Sequence, residues 1–132
     1  MRIVADSHAI VWFLHGASNL SREAERILRA AEGDGDLVVS IVTFIDLWYV
    51  TQTTQAITPD QLALVETQLA SSEGVVIEPV TLPIVRVSLG IPRSQLPDPW
   101  DRLIVGTSLA LGAPLVTRDA AIRATGLVET VW

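Results

Sequence analysis

Four aspartates in this 132-residue chain stand where a carboxylate can do chemistry. Asp6 follows the short apolar run Ile3-Val4-Ala5, and Asp119 follows Leu115-Val116-Thr117-Arg118. Asp101 sits in Asp98-Pro99-Trp100-Asp101, and Asp46 lies among Phe44, Ile45, Leu47 and Trp48. Each has a structural alternative. Asp6 can cap a following helix, Asp101 can join Asp98 at the positive end of a helix dipole, and Asp119 can serve a turn. Asp46 resists such an explanation most, because an unpaired carboxylate among apolar neighbours loses hydration that something must replace.

Brought to one place, these acids repel one another and their pKa values rise unless a positive charge joins them. The chain has no lysine; all nine basic residues are arginines, and only Arg102 and Arg118 lie near these acids in sequence. A hard divalent cation with oxygen ligands, Mg2+ or Mn2+, fits the set better. Held by carboxylates and water, such an ion can activate a water for in-line attack on a phosphodiester.

The elements that must position these residues follow from the patterning. The run 3–5 reads as a buried strand. Ser7 is placed to cap a helix over 8–15, ended by Gly16. Ser21 with Glu23, Ala24, Ile27, Leu28 and Ala31 signals a second helix, and 37–40 a second strand. The segment 41–52 is rich in β-formers. It is assigned to a helix capped by Ser40, because a strand from Leu37 to Val50 would be too long. Thr58-Pro59 opens a helix to about Ala70. A strand over 75–77, a helix over 82–89, a loop over 90–97 and a helix from Asp98 to about Leu111 follow. Strands over 114–117 and 128–131 complete the chain. Alternating strands and helices predict one α/β domain over 1–132, a three-layer α/β/α sandwich with a central parallel sheet. In open parallel sheets, ligands bind beyond the carboxyl ends of the strands, where Asp6 and Asp119 fall.

Composition narrows the classes further. Hydrophobic residues make up 49% and charged residues 18%, which excludes a disordered chain. No cysteine means no disulfide scaffold, thiolate nucleophile or cysteine zinc site. No lysine means no Schiff base, lysine base or P-loop, and weakens a receiver domain, whose pattern includes a phosphate-contacting lysine. No apolar run approaches the ~20 residues of a membrane span, and Asp6 comes too early for a secretory signal. A soluble cytoplasmic protein is expected. The net charge of −6 argues against nucleic acid held on a broad basic surface, but not against a nuclease whose metal supplies the charge.

The chain resembles PIN-domain ribonucleases, in particular the VapC-like toxins of toxin–antitoxin pairs, over nearly its whole length. The segment from Ile3 through Asp6-Ser7-His8 to Trp12 is similar to the family's strand, Asp-Thr-His and apolar stretch. Leu20-Ser21 with Ala24, Asp98-Pro99-Trp100-Asp101-Arg102-Leu103-Ile104 and Leu115-Val116-Thr117-Arg118-Asp119 resemble its later motifs in order. The resemblance implies a metal site at Asp6, Asp46, Asp101 and Asp119, with Asp98 as an accessory acid. It also implies an RNA substrate, a cognate antitoxin and a homodimer, to which apolar Phe44, Trp48, Leu82 and Leu89 are suited. Two departures stand out. Asp46 occupies the position of a family glutamate, and Leu96-Pro97 replaces a His-Arg pair.

Among the remaining residues, His8 is read as fixing the first turn rather than touching substrate. Thr117 is read either as a partner of Asp6 or of metal-bound water, or as a turn hydroxyl. The tryptophans are read as core or interface, and Arg102 as the partner of an acid before a phosphate contact. The runner-up function is a PIN-like binding protein with little or no nuclease activity, which Asp46 motivates. A haloacid-dehalogenase-type phosphatase ranks third: His8 stands at its second acid position, and a phosphoaspartate trapped at Asp6 would restore it.

Overall fold

The computed structural model describes residues 1–132. Five strands form one all-parallel sheet: β1 (Ile3–Ala5), β2 (Leu37–Ser40), β3 (Val75–Glu78), β4 (Leu115–Val116) and β5 (Thr130–Val131), in the order β3-β2-β1-β4-β5. Seven helices connect them: α1 (Ser7–His15), α2 (Arg22–Asp34), α3 (Val42–Thr53), α4 (Pro59–Ser71), α5 (Leu82–Leu89), α6 (Pro99–Leu111) and α7 (Ala120–Thr125). From β1 the chain first builds outward through β2 and β3, then returns to add β4 and β5 on the other side. Adjacent β1 and β4 therefore flank the point where the winding reverses.

The three layers follow from the two-residue period of the strands. Ile3, Ala5, Leu37, Val39 and Val116 face one way, against Ile10 and Phe13 of α1, Leu28 of α2 and Leu69 of α4. Val4, Val38 and Leu115 face the other way, against Ile104 and Val105 of α6 and Ile122 of α7. The inner strands β1, β2 and β4 are buried on both faces, which is why their sequences read as short apolar runs, whereas the edge strands β3 and β5 are only partly covered.

Helix ends follow local chemistry, with two expected caps displaced by one residue. Ser7 does not cap α1. It is the first helical residue, and the Asp6 carboxylate accepts from Ala9 N at 2.9 Å instead. Gly16 closes α1 at φ +61°, a left-handed conformation that favours glycine. Thr58 and Gln61 form a reciprocal capping box on α4, with Pro59 at its first position. The segment around Asp46 is helical as expected, but Ser40 does not cap it: the helix begins at Val42 with Ile41 at the cap position, and Ser40, one residue too early, only accepts from Val42 N at 3.3 Å. Helix α7 is an addition to the expected set: its six residues carry too short a pattern to register as a period, yet Asp119 caps it through Ile122 N.

Arg102 also differs from expectation. It pairs with no acid; its guanidinium donates to the carbonyls of Ser88 (2.8 Å), Ile91 (2.7 Å) and Leu96 (3.0 Å). Five fixed donors suit this multiple contact. The arginine thereby ties the 90–97 loop to the start of α6, which carries Asp98 and Asp101.

Candidate metal centre

The carboxyl ends of the strands open onto a cavity of about 390 Å³ lined by Asp6, His8, Trp12, Asp46, Asp101, Arg118 and Asp119. Each acid arrives from a different element. Asp6 follows β1 and Asp119 follows β4, so both stand at the winding reversal, where open α/β sheets place their ligands. Asp46 comes from the second turn of α3, and Asp101 from the first turn of α6, which begins at this edge.

The four carboxylates differ in environment. Asp6 is buried; Thr117 Oγ1 donates to one oxygen and Ala9 N to the other. Burial pushes its pKa up, while those two hydrogen bonds oppose the rise by favouring the charged form. Asp101 is half-buried with no hydrogen-bond donor on its carboxylate, and its pKa is pushed up to about 7. Desolvation is the main cause, followed by the negative charges of Asp98, Asp119, Asp46 and Asp6. Asp46 is half-buried on the cavity wall, as its apolar neighbours suggested.

Asp98 is placed differently. It is exposed, it does not line the cavity, and its carboxylate accepts from Trp100 N (2.9 Å) and Asp101 N (3.1 Å). Its contacts are those of a helix cap. It still acts on the site through the charge it adds beside Asp101.

Thr117 joins the two strand-end acids. It is fully buried, donates to Asp6, and its oxygen accepts from Asp119 N at 3.0 Å. Both tryptophan and arginine on the cavity wall lay outside the acid-centred reading. Trp12 stands four residues after His8, so the two share a face of α1, with ring centroids 5.7 Å apart.

The donor set suits a hard cation: every candidate ligand is an oxygen, and four carboxylates share the cavity with a single arginine. No three acidic or histidine side chains stand close enough to grip one bare ion together. A cavity of this size has room for an ion that keeps part of its water shell, as Mg2+ does. The residues fit a hydrated cation rather than a dehydrated, tightly caged one.

The PIN domain profile matches residues 3–127. The chain belongs to the PIN-domain family. It is 29% identical over 122 residues to Ribonuclease VapC22 of Mycobacterium tuberculosis, covering 92% of this chain and 89% of that protein. Its fold matches VapBC2 from Rickettsia felis bound to a promoter DNA fragment, with a TM-score of 0.71 at 14% identity over 99% of this chain and 98% of that one. FitAcB from Neisseria gonorrhoeae matches with a TM-score of 0.67 at 18% identity, over 98% and 96% of the two chains. For this PIN domain, no helix is long and apolar enough to cross a membrane.

Proposed function

We propose that the chain is a metal-dependent endoribonuclease and the toxin of a toxin–antitoxin pair, with residues 1–132 acting as one domain. The observation that carries this reading is the meeting of Asp6, Asp46, Asp101 and Asp119 in one cavity at the reversal of the sheet. The likeness to a curated ribonuclease across most of both chains supports the substrate class. Likeness to solved toxin–antitoxin complexes supports an antitoxin partner. Exposed Trp48, Leu82 and Leu89 are available to a partner or a second copy of the chain.

Asp6, Asp46, Asp101 and Asp119 would hold Mg2+ or Mn2+, with Asp98 adding charge from the rim. When bound, the metal supplies charge neutralisation at the phosphodiester and lowers the pKa of a water. The protein's own contribution is positional. Thr117 and Ala9 fix the Asp6 carboxylate, α6 and its Arg102 anchor fix Asp101, and the turn after β4 fixes Asp119. Burial, and then the negative charge of its neighbours, holds a proton on Asp101, and a bound cation would favour its ionised form.

Purified protein is expected to cleave RNA with Mg2+ or Mn2+ and to stop when a chelator removes the metal. The substitution at Asp46 favours the second reading, a PIN-like binding protein with little or no nuclease activity. Folded protein that binds RNA or an antitoxin but cleaves nothing with either metal would establish that reading instead.

A further inference from the structure

One wall of the acidic cavity has a different chemistry from the rest. Trp12 is the single apolar residue lining it, and Arg118 supplies its one permanently charged cation. Trp12 is half-exposed, although its chain neighbours Val11 and Phe13 are buried. Its ring is held on two sides, by His8 and by Trp132 edge-on, each with centroids 5.7 Å away. The indole is therefore braced in place while part of it faces solvent.

Arg118 makes an unexpected choice. It neighbours Asp119 in sequence and shares a cavity with four carboxylates, yet it forms no ion pair. Its guanidinium lies over the Trp12 ring, 5.7 Å from the centroid. That arrangement leaves its donors free while the ring stabilises its charge. Flat, braced aromatic and guanidinium surfaces beside a phosphodiester-cleaving centre are what an unstacked nucleobase requires, since single-stranded RNA is gripped by stacking on such planes. A base within a duplex is already stacked on its neighbours and cannot use them.

Building on the ribonuclease reading above, we propose that Trp12 and Arg118 form a stacking subsite for an unpaired nucleobase flanking the scissile phosphate. The base would lie on the Trp12–Arg118 wall with the phosphate toward the acids. His8 and Trp132 act as positioning residues for the indole. Because every base has a π-face, the subsite favours unpaired over paired RNA more strongly than it favours one base over another.

The test separates binding from cleavage. Anisotropy measures binding of labelled oligoadenylate, oligouridylate, an abasic ribose-phosphate polymer of equal length, and an RNA duplex. The protein is Asp101→Asn, checked for parental circular dichroism, which removes one cavity acid to suppress cleavage during the titration. Both base-bearing single strands are expected to bind roughly fivefold or more tightly than the abasic polymer and the duplex, the low end for one base–aromatic stack. Adding Trp12→Ala should reduce their affinity to the abasic level and leave abasic binding unchanged, and Trp12→Phe should restore much of the difference. Arg118→Gln should weaken all three single strands. Equal binding of base-bearing and abasic strands, or an unchanged preference in folded Trp12→Ala protein, overturns the subsite. Base-dependent binding by a parent protein that cleaves no RNA would overturn the nuclease reading and leave the subsite standing.

Discussion

Thr117 donates its hydroxyl hydrogen to the carboxylate of Asp6. The two lie 111 positions apart in sequence and meet because β1 and β4 are parallel neighbours, with Ala5 beside Val116. The same hydroxyl oxygen receives Asp119 N–H, so one buried side chain sets two acids at once.

Replacing Thr117 with valine keeps the volume and removes both interactions. Asp6 should then rise further in pKa, since burial would be opposed only by the Ala9 N–H bond and the nearby charge of His8. A loss of about 1–3 kcal/mol in stability is expected from the stranded buried groups, together with weaker metal binding. Thr117→Ser restores the hydroxyl and should restore both. Urea denaturation and metal titration check this; a valine variant equal to the parent in both would show that the hydroxyl is idle.

Asp101 makes a pH prediction with a definite sign. Its pKa is about 7 in the folded protein against an ordinary 3.8. Between those values the folded chain retains a proton that the unfolded chain has lost, so the unfolded state binds fewer protons. Stability of the metal-free protein should therefore fall as pH rises across that window and level off above 7. The side chain is only half-buried, so solvent screening moderates the slope. Asp101→Asn, neutral throughout, should reduce it, leaving the part that Asp6, also shifted upward by burial, contributes. Mg2+ must displace the same proton, so binding should weaken below pH 7 and release protons in calorimetric titrations. Melting temperatures that rise across the window in chelator would contradict the assignment.

Helices α5 and α6 meet at Gly106. A Cβ there would lie 1.9 Å from Ser88 Oγ and 3.2 Å from Ile84 O. Alanine normally improves a helix by about 1 kcal/mol over glycine, but overpacking of this kind typically costs about 1–3 kcal/mol. Gly106→Ala should thus destabilise the protein, and Ser88→Ala in the same chain should recover part of the loss. A more stable Gly106→Ala protein would mean that α5 yields without resistance.

Much of this arrangement was legible in the sequence because the relevant signals are local. The run at 3–5, the Thr58-Pro59 start and Gly112 after Leu111 each state their structure within a few residues. The acids could be collected at one edge because Asp6 and Asp119 end parallel strands. Other features depended on distant partners. Arg102 satisfies three carbonyls, one at the end of α5 and two in the following loop, up to fourteen residues away, which no spacing reveals. Asp98 and Asp101 look equivalent in sequence, but the helix start turns one toward backbone N–H groups and the other toward the cavity. The stacking wall was hidden for the same reason: Trp12 and Arg118 are joined only when β4 lies beside β1.

The resemblance to PIN-domain ribonucleases implies a glutamate at the position that Asp46 occupies. On the same helical turn, its oxygens reach about one C–C bond, roughly 1.5 Å, less far into the cavity. Metal–ligand distances tolerate only about 0.2 Å, so direct coordination from this position requires a backbone shift or an intervening water. The spacing of the acids, with no three near enough to grip a bare ion, agrees with the water-mediated arrangement. Weak metal binding and low but measurable RNA cleavage are therefore expected of the parent protein. Asp46→Glu should preserve or raise cleavage when Mg2+ or Mn2+ is limiting, with little change at saturation. Asp46→Ala and Asp6→Ala should abolish it. Metal titrations of cleavage on folded, monodisperse protein compare the four. If Asp46→Ala cleaves as well as the parent across the titration, the carboxylate on α3 serves the fold and not the metal.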